Sequence, residues 1–170
     1  MATVDMSVKL AAPAAEVWSL VGDFLALHTW HPAVPACEPV GEGGGIRRLT
    51  SGNGGPTFDE VQLERDEAGR RMRYAILGKP FPLENYSSWM SVEDSDGGCV
   101  VRWRSAFAPD EGSETKANGI VSFIYKSGFD ALVARFGAGG HAGSRLPSAA
   151  TARFGKLIRA TPHKAAVTPS

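Results

Sequence analysis

Residues 85–107 read NYSSWMSVEDSDGGCVVRWRSAF, and the fold class turns on how that stretch is read. Tyr86, Ser88, Met90 and Val92 alternate with Ser87, Trp89 and Ser91, the two-residue period of a β-strand. The segment from Glu93 to Gly98 has the make-up of a tight reversal, with glycines free to take positive φ. The alternation then resumes: Val101, Trp103, Ser105 and Phe107 point one way, Val100, Arg102, Arg104 and Ala106 the other. The arginine face should be wet and the Trp/Phe face should look inward. A long hairpin with so large an aromatic face needs a broad cover.

That cover lies downstream. Ile120, Val121, Ile124, Tyr125, Gly128, Leu132, Val133 and Phe136 recur at helical spacing, predicting a helix over 114–136. Its length of roughly 33 Å, at 1.5 Å per residue, is enough to cross a sheet. Gly128 costs about 1 kcal/mol relative to alanine in mid-helix and marks a close approach or a bend. Upstream, alternation predicts strands over 3–10, 37–41, 46–50, 58–65 and 71–77. Pro13 opens a helix whose stripe is Val17, Leu20, Val21 and Phe24. A short second helix between Ala26 and Pro35 is broken by Pro32. The order is strand, two short helices, six strands, one long helix. Consecutive hairpins make an antiparallel sheet. The expected architecture is α+β, a curved seven-stranded antiparallel sheet wrapped around a long C-terminal helix, with a central cavity between them.

Composition narrows the possible functions. The chain has 170 residues, 43% of them hydrophobic, so one domain with a real core is expected. It has no apolar run of the roughly 18–20 residues a membrane span requires, and its N-terminus does not read as a signal peptide. Cys37 and Cys99 fit free thiols in a reducing compartment, hence the cytoplasm. The net charge of zero hides an asymmetry. Arg145, Arg153, Lys156, Arg159 and Lys164 are the basic residues after Gly137, where no acid occurs. The acidic body argues against nucleic-acid binding. We divide the chain into a domain over 1–137 and a basic Gly/Ala/Pro-rich tail over 138–170, expected to be disordered or to dock on an acidic partner or an anionic membrane surface. The loop over 51–56 is Gly-rich but lacks the phosphate-cradling pattern, since a strand follows it. His28 and His31 have no third ligand at sensible spacing, so no metal is expected, and nothing implies a cofactor.

The order of elements and several stretches resemble the helix-grip superfamily (START/Bet v1-like), most closely its bacterial polyketide cyclase/dehydrase and lipid-transport branch. Pro13 to Trp18 is similar to the branch's helix-opening motif; Asn85–Tyr86–Ser87–Ser88 and Val101 to Phe107 are similar to its paired strands. The likeness runs over about residues 3–136. Plant abscisic-acid receptors offer a second, weaker likeness at Glu16 to Val21, Ser51–Gly52 and Pro82 to Tyr86. The apolar-proline gate tip is replaced by Asn53–Gly54–Gly55 and the latch His and Arg are missing, so hormone-style gating is not expected.

Carried onto this sequence, the resemblance implies a pocket with polar points at His31, Glu60 and Tyr86. Glu60 could pair with Arg47 or Arg48, of which Arg48 is taken into the ligand set. Trp30, Tyr74, Met90, Trp103, Phe107 and Ile124 complete that set. Glu60 faces inward only if Val61 and Leu63 face out, against the usual preference of a one-sided sheet. The favoured function is binding of a small hydrophobic or aromatic molecule, lipid- or polyketide-like, by a monomer or homodimer. The alternative is a cyclase or dehydratase, with Tyr86 or His31 as acid and Glu60 as base. A third reading is a protein-partner accessory that uses the tail.

Overall fold

The computed structural model describes residues 1–140. Residues 141–170, the greater part of the tail expected to be disordered or to dock on a partner, lie outside them. β1 (Ala2–Leu10) is followed by α1 (Ala14–Val21) and a single 3₁₀ turn at Leu27–Thr29. Then come β2 (Ala36–Pro39), β3 (Ile46–Thr50), β4 (Thr57–Asp66), β5 (Arg71–Leu77), β6 (Leu83–Ser95), β7 (Gly98–Pro109) and α2 (Glu114–Phe136). The seven strands form one antiparallel sheet in the order β1-β7-β6-β5-β4-β3-β2, open at both edges. With α2 across its inner face, this is the helix-grip arrangement that the alternation and the long apolar stripe imply.

The β6–β7 hairpin pairs Val92 with Val101, Met90 with Trp103 and Ser88 with Ser105, all on the inward face. Its reversal is the pair Asp96–Gly97, with Gly97 at φ 74° where a side chain would be strained. β6 begins at Leu83, earlier than the alternation predicts, because Asn85 takes a left-handed φ of 54° at a bulge between Glu84 and Ser87. The bulge keeps the strand paired while bending it, as a sheet curved around a helix requires.

α2 buries Ala117, Val121, Tyr125, Gly128, Phe129 and Leu132. Trp103 stacks on Tyr125 with centroids 4.3 Å apart and meets Phe129 at 6.2 Å. Such aromatic pairs add about 0.5–1.5 kcal/mol beyond area burial. Gly128 is the close approach: a Cβ there would lie 3.0 Å from both Trp103 and His31. The two residues after Gly137 also meet β1. Ala138 bridges to Leu10, and the Gly139 amide donates to the Lys9 carbonyl at 2.8 Å on the edge of β1. No helix among the described residues is long and apolar enough to cross a membrane.

Candidate functional site

Between the sheet and α2 lies a cavity with about 60 Å³ open to the centre of a water molecule. That is room for a few waters and far below the roughly 300–1,000 Å³ that encloses a drug-sized ligand. Its walls are mostly apolar, from Leu27, Val34, Leu49, Leu83, Val121 and Ile124. Half-buried Phe58 and Phe81, in edge-to-face contact at 5.2 Å, form a more exposed wall. The polar groups that reach it are Arg47, Ser51, Glu60, Tyr74 and Tyr86, beside the indole of Trp103.

Strand pairing explains how two charges come to be buried here. Thr50 pairs with Thr57 across the loop over 51–56, which sets Arg47 opposite Glu60 and Arg48 opposite Asp59. Arg47 and Glu60 then share the inner face, 2% and 5% exposed. Leu63 is left outside, 46% exposed. Arg47 donates from Nε and Nη2 to the same oxygen, Glu60 Oε2, at 2.8 and 2.6 Å, and from Nη1 to the Phe24 carbonyl at 2.5 Å. Its guanidinium lies 4.1 Å from the Phe24 ring centroid and 5.1 Å from that of Tyr74. Burial raises the Glu60 pKa, and the Arg47 charge opposes the rise. Two charge-assisted bonds from one guanidinium favour the ionised carboxylate at neutral pH.

A hydroxyl network forms the second polar feature. The Trp103 indole N–H is shared between Tyr74 Oη at 2.8 Å and Ser88 Oγ at 3.1 Å. Ser88 Oγ donates to the Arg104 carbonyl at 3.1 Å and bonds Tyr125 Oη at 2.9 Å; Tyr125 Oη in turn bonds Tyr86 Oη at 2.9 Å. Burial moves the Tyr74 and Tyr86 pKa values well above the ordinary 10 and that of Tyr125 to about 12. All three phenols are therefore neutral hydrogen-bonding groups at neutral pH.

The cavity brings together Glu60, Tyr74, Tyr86, Trp103 and Ile124 of the candidate set. The other candidates lie elsewhere. Arg48 sits on the wet face and pairs with Asp59 at 2.8 Å, because one residue along a strand reverses the face. His31 is not among the lining residues. Its Nε2–H donates to the Ile124 carbonyl at 2.9 Å and its Nδ1 accepts from the Ala33 amide at 3.2 Å, which fixes the neutral tautomer. Burial lowers its pKa to about 4, so the ring is neutral at neutral pH. Trp30 packs against His31 and Trp103, at 5.5 and 6.1 Å, outside the lining. Met90 and Phe107 are core residues, fully covered. Arg47, Tyr125 and Ser88 were missing from the set. Ser88 shares a face with Tyr86, and Tyr125 lies on the apolar stripe of α2, so both carried a sequence signal. Among the described residues no three His, Cys, Asp or Glu side chains are grouped to hold a metal.

Known proteins give the arrangement a family. XoxI from Bacillus cereus is similar at 31% identity and a TM-score of 0.75, over 80% of this chain and 96% of its own. A protein from Thermobifida fusca is 34% identical with a TM-score of 0.72, over 83% of this chain and 99% of its own. The Zhui aromatase/cyclase from Streptomyces sp. R1128 shares the fold at 20% identity and a TM-score of 0.60, over 79% of this chain and 92% of its own. No curated protein matches the chain. The family model described as polyketide cyclase / dehydrase and lipid transport matches residues 1–137, the stretch that builds sheet, cavity and α2. By that match the chain belongs to the polyketide cyclase/dehydrase and lipid transport family.

Proposed function

We propose that this chain binds a small hydrophobic or aromatic molecule, lipid- or polyketide-like, in the cavity between the sheet and α2. The observation that carries this reading is a buried ion pair, Arg47–Glu60, set into an otherwise apolar wall beside unionised tyrosines. A buried pair is a costly way to fill a core, and apolar residues of similar volume often serve stability as well or better. A recognition role accounts for its presence. The small volume supports a closed resting state whose Phe58–Phe81 wall moves when a ligand enters.

The cyclase or dehydratase reading has less support. With His31 bonded at both nitrogens, acid–base work would fall to Glu60 and the tyrosines. The partner-binding reading depends on the tail, most of which is outside the described residues. We retain the cytoplasm as the compartment and a monomer or homodimer as the assembly. Native mass spectrometry of gently purified full-length protein, followed by solvent extraction, tests the proposal. An apolar or aromatic adduct that is lost in a folded Trp103→Ala variant supports it. A clean apo mass, with no uptake from a lipid and aromatic library, overturns it. A compound released chemically altered would favour the enzyme.

A further inference from the structure

Directions of the hydrogen bonds divide the polar groups of the cavity into donors and acceptors. The Arg104 carbonyl can only accept, so the single Ser88 proton goes to it at 3.1 Å. The Trp103 N–H can only donate, and Ser88 Oγ receives it. With its proton committed, Ser88 must also accept the Tyr125 proton, and Tyr125 must then accept that of Tyr86. The chain runs one way, from Tyr86 through Tyr125 and Ser88 to the strand carbonyl. Tyr86 thus turns a lone pair toward the cavity and has no proton to offer it.

Tyr74 is the opposite case. Its oxygen accepts from Trp103, and its nearest other partner, Ser88 Oγ, already receives the Trp103 and Tyr125 protons, which leaves the Tyr74 proton for the cavity. Glu60 likewise has capacity left over. Both Arg47 bonds fall on Oε2, while Oε1 of this 5% exposed residue takes no hydrogen bond from the described residues. Both side chains line the cavity. The buried ion pair is neutral as a unit, and three of the five guanidinium N–H donors go to Glu60 and the Phe24 carbonyl.

We propose that the cavity selects an uncharged hydroxylated aromatic, of phenol or enol type, whose O–H donates to Glu60 Oε1 and whose oxygen accepts from Tyr74. A carboxylate would face the carboxylate of Glu60 and is disfavoured by like-charge repulsion. Tyr125 and Ser88 are positioning residues, holding Tyr86 as an acceptor. This inference rests on the cavity being the ligand site.

Matched probes separate the two ideas: naphthalene, 2-methoxynaphthalene, 2-naphthol and 2-naphthoate, titrated into the full-length protein with tryptophan fluorescence and calorimetry as readouts. The expected result is that 2-naphthol binds about tenfold or more tighter than its methyl ether, since one hydrogen bond to a charged acceptor is worth that much. Tyr74→Phe, which keeps the ring and leaves Trp103 its bond to Ser88, should narrow that ratio with little change for naphthalene. Glu60→Gln should narrow it as well, and Tyr74→Phe carries the test if that variant does not fold. Equal binding of 2-naphthol and its ether overturns the donor–acceptor assignment while leaving the cavity as a ligand site. Tightest binding of 2-naphthoate also overturns it and makes Arg47 an anion subsite. Failure of all four probes overturns both.

Discussion

Two residues chosen by sequence for other reasons meet at one point. Gly128 is glycine because His31 and Trp103 occupy the space a Cβ would need. Neither neighbour can yield easily: Trp103 is stacked on Tyr125, and both His31 nitrogens are bonded. Gly128→Ala gains about 1 kcal/mol of helix propensity, against an overpacking cost of about 1–3 kcal/mol. The expected outcome is net destabilisation, read as a lower urea midpoint at unchanged slope. His31 carries a pH signature. Its folded pKa of about 4 is depressed by burial first, with the Arg47 charge pushing the same way. Its neutral form therefore contributes stability that is fully present above the ordinary value near 6.5 and is lost as pH falls toward 4. At about 1.4 kcal/mol per pH unit the loss approaches 3 kcal/mol. Urea unfolding at pH 7 and pH 4.5 should show a smaller drop for His31→Gln than for the parent chain; equal drops would remove His31 as the cause.

At the scale of elements, the hairpin over 85–107 and helix α2 were legible because their partners only had to be apolar. β4 was not so readable. Its alternation offers Val61 and Leu63 to the core, yet the strand turns Glu60 inward, since Arg47 on β3 supplies the compensating charge. Alternation within one strand cannot express that choice; the pairing of Thr50 with Thr57 can, and it also decides between Arg47 and Arg48. The His31 role was hidden for a related reason, because its bond to the Ile124 carbonyl spans 93 residues. The pair makes a prediction for the two strands together. Arg47→Ala strands a carboxylate and should cost about 3–5 kcal/mol, as breaking a buried pair does. The double variant Arg47→Met with Glu60→Leu should recover much of that loss. If the double variant were as unstable as the single one in equilibrium unfolding, the pair would be structural, and its link to ligand recognition would weaken.

For the molecule as a whole, the mismatch between a 60 Å³ cavity and a useful ligand sets the main expectation. Leu49, Val121, Trp103 and the ion pair are held by packing on the sheet or α2, whereas Phe58 and Phe81 are half-buried, meet each other edge-to-face and pack on the core from its more exposed side. Phe81→Ala should speed association of 2-naphthol measured by stopped-flow fluorescence and admit larger ring systems, with a stability cost below the roughly 3–5 kcal/mol of a core Phe→Ala change. An unchanged association rate would place the moving wall elsewhere. The sheet order carries a consequence for biosynthesis. β1 pairs along its whole length with β7, Ala2 with Phe107 and Leu10 with Cys99, although every other strand pairs with its neighbour in the chain. The middle strands can zip together as they leave the ribosome. At roughly 5–20 residues per second, β1 waits on the order of 5–20 s for its partner to be made. Until then Val4, Met6, Val8 and Leu10 have no strand to lie against, so β1 is the strand of the newborn chain most open to chaperones.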